Sequence, residues 1–355
     1  MKALRGVILP ILLITLLFSG CSFWMDGSYV SVTPNHSMGG SQKDEITLIT
    51  SYQQVYDALT QMVEDGTQGD ILYFSNVSED QTAYLMETAV SNVCRTNPIG
   101  AYAVSGITYE IGSNMGKLAV AVEITYSHNR SEILRIKQAQ DMEDVLSLIR
   151  VALENCESGT VLRVKNYKNK DLIQYVEDYV MEFPQLCMEM PQVSVSYFPE
   201  LGQERVIEIL FTYQTSRETL RTMQQSVSNV FKSAMYYIDP MADNSEKYSQ
   251  LYSFLMERYD YKLDTSITPS YSLLRHGVGD SKAIATVYAG MCRQVGLDCQ
   301  VVSGTKDGES LYWNVIHEDG VYYHVDLLEC NKIGGFVAKT TEEMIGYVWD
   351  YSKYK

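Results

Sequence analysis

Ninety residues apart, the chain writes the same amphipathic pattern twice, and this periodicity restricts its fold more than any other feature. Ser51, with Gln54 three positions on, has the form of a helix N-cap, and Val55, Leu59, Met62 and Val63 follow at helical spacing. Asp141 stands where Ser51 stood, and Val145, Leu148, Ile149 and Leu153 repeat the apolar face. After each helix come a glycine, Gly69 or Gly159, and a short apolar strand, 71–74 or 161–164. A second amphipathic helix follows in each copy, near 81–94 and near 171–183. Two strands then close the copy: Ile107-Thr108-Tyr109 matches Val195-Ser196-Tyr197, and Val122 to Tyr126 matches Ile209 to Tyr213. Arg130 and Arg217 each stand four residues after the last tyrosine. The pattern predicts two α/β units, residues 46–130 and 131–215, each in the order helix, strand, helix, strand, strand. A repeat of this length is that of a duplicated small domain, too long for a thin solenoid. Neither unit contains a glycine-rich phosphate loop, paired histidines or a nucleophile elbow. Their tyrosines fall mostly in strands, where half-buried packing accounts for them, although exposed tyrosines could also grip peptide or glycan.

The first twenty residues stand apart from the fold. Lys2 and Arg5 precede a nearly unbroken apolar run, Val7 to Phe18, too short to span a bilayer comfortably and flanked as an export signal is. The run ends in Leu17-Phe18-Ser19-Gly20-Cys21, which resembles the lipobox of bacterial lipoproteins. That resemblance implies cleavage before Cys21, lipidation of its thiol, and a body held outside the cytoplasm at a bacterial membrane by acyl burial. An ordinary secretory signal with an incidental cysteine is the alternative. Residues 21–45, polar and without period, suit a flexible tether.

At 355 residues, of which 46% are apolar, the remainder has room for two or three domains with sizeable cores. The formal charge is -16, and it is two units more negative once Lys2 and Arg5 are removed. Such a chain is repelled by phosphate backbones and anionic lipid surfaces, which argues against nucleic-acid binding. The cysteines after Cys21 are Cys94, Cys156, Cys187, Cys292, Cys299 and Cys330. They form no CxxC pair or metal-like cluster with histidine, so neither metal nor cofactor is implied. Export would permit disulfides; Cys299 with Cys330 is one candidate pair, and Cys292 reads as a buried helix residue.

The third region, 216–355, opens with two helices, near 216–237 and 244–259, separated at Asp239-Pro240. Tyr259-Asp260-Tyr261 closes the second helix. Gly277-Val278-Gly279-Asp280-Ser281-Lys282-Ala283 leads into a further helix that stops at Gly296-Leu297, before a strand from Cys299 to Gly304. Then come Leu311-Tyr312-Trp313-Asn314-Val315, the Asp319-Gly320 hairpin turn, and a return strand through His324 to Asp326. A last helix is expected to open at Thr340–Glu343 and run through Asp350.

These motifs, in this order, resemble the transglutaminase-like superfamily, whose fold is related to papain. The resemblance covers the last third only, from about Glu246. The implied architecture is α+β: two tandem α/β repeats followed by a transglutaminase-like domain. Active relatives carry cysteine at the helix start, histidine at the head of a His-Ala-Trp-Asn strand, and an orienting aspartate. The helix terminus and an imidazolium make a thiolate that attacks amide carbonyls. Carried over by position, this sequence has Ser281 for the cysteine, Leu311 for the histidine and Asp326 for the aspartate. A serine hydroxyl requires a base, which leucine cannot be, and loss of one triad member can cost about a millionfold in turnover. Cys292 is roughly 16 Å along the helix and His317 roughly 20 Å along the strand, too far to substitute. His324, on the strand face of Asp326, or His276, before the glycine turn, could in geometry serve a serine-dependent amidase or esterase.

The reading that follows is a pseudoenzyme. Asp280, Ser281, Trp313, Asn314 and Asp326 would line a ligand cleft for a peptide, a cell-wall stem peptide or an envelope protein. A purely structural assembly role is a further alternative, in which the repeats bind a protein partner and the last domain is scaffold, with Trp313 as core and Asp326 capping or pairing within the hairpin.

Overall fold

The computed structural model describes residues 47–263 and 268–352. The export signal, the tether and Cys21 lie outside the described residues, within which no helix is long and apolar enough to cross a membrane.

The first repeat begins with a two-residue strand that the periodicity does not reveal. β1 (Leu48–Ile49) precedes α1 (Tyr52–Asp65), β2 (Gly69–Phe74), α2 (Glu79–Arg95), a short α3 (Pro98–Ala103), β3 (Val104–Asn114) and β4 (Lys117–Tyr126). After α4 (Arg130–Ile133) the second repeat runs β5 (Lys137–Ala139), α5 (Met142–Glu154), β6 (Gly159–Val164), α6 (Leu172–Glu182), β7 (Gln192–Phe198) and β8 (Arg205–Thr212). Both sheets have one topology, β1-β2-β4-β3 and β5-β6-β8-β7. The first pair of each is parallel and the others antiparallel.

Local chemistry is repeated as well. Ser51 Oγ accepts from Gln54 N, while the Gln54 side chain takes the amide of Thr50 (2.8 Å). At the start of α5, Asp141 accepts from the amides of Glu143 and Asp144, and Asp144 takes the amide of Gln140 (2.8 Å). Each cap thus meets orphan amides of its first helix, and the residue three positions on holds the amide that precedes the cap. At the other end, Arg130 Nε donates to Asp65 O (2.8 Å) and Arg217 Nε to Asn155 O (2.9 Å), so each arginine closes the first helix of the repeat whose last strand precedes it.

The third strands depart from the sequence match. Ile107 faces Ile124, but Val195 faces Ile209, the counterpart of Val122, so the two hairpins are offset by two residues. A two-residue turn at Met115-Gly116 joins the first pair, and residues 199–204 join the second. The repeats meet through Val161, Phe198 and Val206, which pack on the first core. Arg163 bonds Glu64 (2.7 Å) on one repeat and Glu204 (2.8 Å) on the other.

In the third region α7 (Arg217–Tyr237) and α8 (Asn244–Met256) come first. Asp260–Tyr261 do not close α8 but form β9, parallel to β10 (Val278–Gly279), with α9 (Pro269–His276) between them. Helix α10 (Ser281–Gln294) is followed by β11 (Cys299–Lys306), β12 (Glu309–Glu318), β13 (Val321–Val325) and α11 (Leu327–Ile333). The expected last helix is instead a 3-10 turn at Thr341–Glu343 and a strand, β14 (Tyr347–Val348). Gly346, with φ of 84°, turns the chain out of helical geometry between them. The sheet order is β13-β12-β11-β14, antiparallel throughout.

The described cysteines are free thiols, and the Cys299–Cys330 candidate bridge is not formed; Cys330 Sγ donates to Val337 O (3.3 Å). Burial pushes the Cys330 thiol up from its ordinary value.

Gly304 on β11 admits both β14 and the Trp313 ring: a Cβ there would lie 2.2 Å from Val348 O and 2.6 Å from Trp313 Cη2. Neither neighbour is a flexible chain end. Gly304→Ala is therefore expected to lower stability by about 2 kcal/mol or more, measured by urea denaturation.

Candidate functional site

Ser281 is the first residue of α10. Its position is set by Asp280, whose carboxylate accepts from Ala283 N (2.8 Å) and caps the helix. The Ser281 hydroxyl is half-buried against the sheet and accepts from the backbone amide of Tyr312 on β12 (3.2 Å). Leu311, the next residue on that strand, lies opposite Gly304 and packs against the cluster of Val302, Trp313, Val315, Tyr347 and Trp349. Ser281 and Leu311, the residues expected at the nucleophile and base positions, are therefore neighbours in space, one a hydroxyl and the other an isobutyl group.

Asp326 is turned to other work. Its Oδ1 accepts from Leu328 N (3.0 Å) and Glu329 N (3.1 Å), capping α11, and its Oδ2 accepts from the Tyr347 hydroxyl (2.7 Å). Lys306 Nζ stands 3.6 Å from the same oxygen, 2.8 Å from Glu329, and over the Tyr347 ring at 4.8 Å. Burial opposes the Lys306 charge, but its bonds to Glu329 and Tyr347 and the Asp326 carboxylate outweigh that cost and raise its pKa. The same bond to Lys306 holds Glu329 below its ordinary range. Lys306 and Tyr347 carry this network: Lys306 lies beyond the strand signal that ends at Gly304, and Tyr347 falls in the last motif, where a helix is expected and a strand is found.

His324 does not face Ser281. It is fully buried: its Nδ1 accepts from Trp313 Nε1 (3.0 Å), its Nε2 lies 3.5 Å from Thr341 Oγ1, and its ring packs on Trp349 (4.6 Å between centroids). With Nδ1 as acceptor the neutral ring carries its proton on Nε2. His276 is exposed and meets the Tyr271 ring edge-on at 5.7 Å. Trp313 is core, between Tyr347 and Trp349 at 5.4 and 5.8 Å. Asn314, also fully buried, donates to Ala285 O (2.8 Å) and ties β12 to α10, while its Oδ1 has no partner. Of the five residues expected to line a cleft, Asp280 and Ser281 are partly exposed; Trp313, Asn314 and Asp326 are buried and structurally engaged. Among the described residues no group of histidine, cysteine and carboxylates is arranged to hold a metal ion.

Burial pushes the pKa of His324 down from 6.5 to about 4. The unfolded chain therefore binds a proton between those values that the folded chain refuses. Stability is fully present above pH 6.5 and falls as the pH drops toward 4, by an amount on the order of 3 kcal/mol at about 1.4 kcal/mol per unit. Urea midpoints measured from pH 7 to 4 for the protein and for His324→Gln should diverge, with the shallower dependence in the variant. Parallel curves would contradict this account of His324.

Residues 234–328, from the end of α7 into α11, match the model of the transglutaminase-like superfamily. No curated protein matches the chain. Among solved structures, the crystal structure of a TGase shares 11% identity at a TM-score of 0.27, covering 58% of this chain and 61% of that one. A protein described as a cysteine protease, from Cytophaga hutchinsonii, shares 9% at 0.26, covering 44% and 70%. One described as a protease, from Parabacteroides distasonis, shares 10% at 0.23, covering 67% and 41%. The chain thus spans 61% of the length of the first of these structures. The fold class is mixed α and β, and the region at 234–328 is a transglutaminase-like domain.

Proposed function

We propose that this chain is an extracytoplasmic lipoprotein, anchored through Cys21, whose transglutaminase-like domain binds a peptide, a cell-wall stem peptide or an envelope protein without turning it over. The observation that carries the non-catalytic part is the surroundings of Ser281. The contact made by its hydroxyl is with the amide of Tyr312, a donor that uses a lone pair and takes no proton. A helix amino terminus stabilises an anion by about 0.3–2 kcal/mol, at most about one and a half pKa units. That suffices to move a thiol toward neutrality and leaves a hydroxyl protonated. His324 is engaged behind Trp313, and the Asp326 carboxylate is committed to α11 and Tyr347. The peptide ligand is an inference from the amide chemistry of the family, and the anchor rests on the lipobox resemblance.

Treatment with a fluorophosphonate probe is expected to label the protein no more than Ser281→Ala. Labelling that disappears in that variant would identify an activated serine and reinstate a serine-dependent amidase or esterase. For the anchor, the protein is expected in the detergent-soluble membrane fraction of a bacterial host, and Cys21→Ala in the aqueous fraction. Equal partitioning of the two would remove the lipoprotein reading.

A further inference from the structure

Helix α10 turns Lys282, Thr286, Gly290 and Arg293, successive positions on one face, toward the segment that follows α6 in the second repeat. Most of that contact is closed. Arg293 lies 3.5 Å from Glu182, and Gly290 leaves room for Pro184, whose Cγ would stand 2.8 Å from an added Cβ. Toward the amino end of the helix the contact opens into a recess of about 50 Å³, lined by Pro184, Met188, Met190 and Pro269 together with Lys282 and Thr286.

Two polar groups there are unspent. Thr286 is 7% exposed, and its hydroxyl has no hydrogen-bond partner, not even the carbonyl four residues back that helical threonines commonly use. The Lys282 ammonium has no carboxylate within ion-pair distance among the described residues; its described contact is the face of the Tyr312 ring at 5.5 Å. A buried hydroxyl without a partner is costly, and an ammonium at the rim of an apolar recess attracts an anion. Side chains four apart on a helix lie about 5–6 Å from each other at Cβ, so both can reach one carboxylate. The recess holds roughly four groups the size of a water molecule, so the head group and one or two carbons fill it and the rest of a ligand lies at its mouth.

We propose that this recess binds a carboxylate bearing a short aliphatic group, which Lys282 holds by charge and Thr286 by donating its hydroxyl proton. The aliphatic group lies among Pro184, Met188 and Met190. A free short-chain acid and the carboxyl-terminal small residue of a peptide share this chemistry. The site goes beyond the function proposed above and does not depend on whether Ser281 is inert, so the two tests fail independently.

The full chain, titrated by calorimetry with isobutyrate, N-acetylalanine and N-acetylalaninamide, is expected to bind one or both acids saturably and the amide not at all. Preference for isobutyrate identifies a free acid as the source, and preference for N-acetylalanine a peptide terminus. Lys282→Gln and the isosteric Thr286→Val should each weaken binding by about tenfold while melting at or above the temperature of the unchanged protein. The proposal is overturned if neither acid binds saturably, if the amide binds as well as the acids, or if binding survives undiminished in Lys282→Gln.

Discussion

Helix α10 is buried from Ala283 to Cys292 without interruption, and the C-terminal half of the molecule is arranged to cover it. A helix with apolar residues on every side has no face to offer water, so each side needs a separate cover. The β11–β13 sheet supplies one, with Asn314 bonded into the helix backbone at Ala285. Helices α7 and α8 supply another through Phe231, Tyr248, Leu251 and Leu255, and the buried Tyr288 hydroxyl is satisfied by Tyr248 O (2.9 Å). The third comes from outside the domain: Met188 and Cys156 of the second repeat belong to the same core. Because that last cover is assembled from another unit, its fit is imperfect beside Lys282, where a recess remains.

Leu311 and Asp326, which the sequence resemblance sets at catalytic positions, serve here to hold the sheet and its flanking helices together. A leucine at the strand head packs with Trp313, and the aspartate caps a helix and receives a tyrosine hydroxyl. A carboxylate accepting three hydrogen bonds beside an ammonium is a stable structural element in its own right. The buried Trp313–His324 pair has the same character: two large rings and one hydrogen bond, with the other imidazole nitrogen beside the Thr341 hydroxyl.

Much of this was legible because it depends on local rules. Asp280 before an apolar run marks a helix start, and Asp319-Gly320 marks a tight turn that the chain makes with φ of 51° and 81°. The paired arginines could be counted, but their task at the helix ends depends on a contact about sixty residues away and has no local signature. Strands β1 and β5 have two and three residues, too short for any period to show. The offset of β3 against β7 follows from unequal connections, and sequence likeness of strands does not encode register. The cleft expected around Trp313 and Asp326 was invisible for the opposite reason: residue identity is the same whether a side chain faces solvent or core, and Tyr347 decides the matter from a segment expected to be helical.

Arg130 leaves the first repeat through a short helix, and Arg217 leaves the second as the opening residue of α7. The same contact is thus made once by a connector and once by the next domain itself. Glu189, almost fully buried, reinforces the second junction by accepting the amides of Gln214 and Thr215. The boundary is therefore a seam with shared parts and not a length of linker. Any foreign domain grafted at this seam would have to bring an arginine at its first helical position, or leave the end of α5 open.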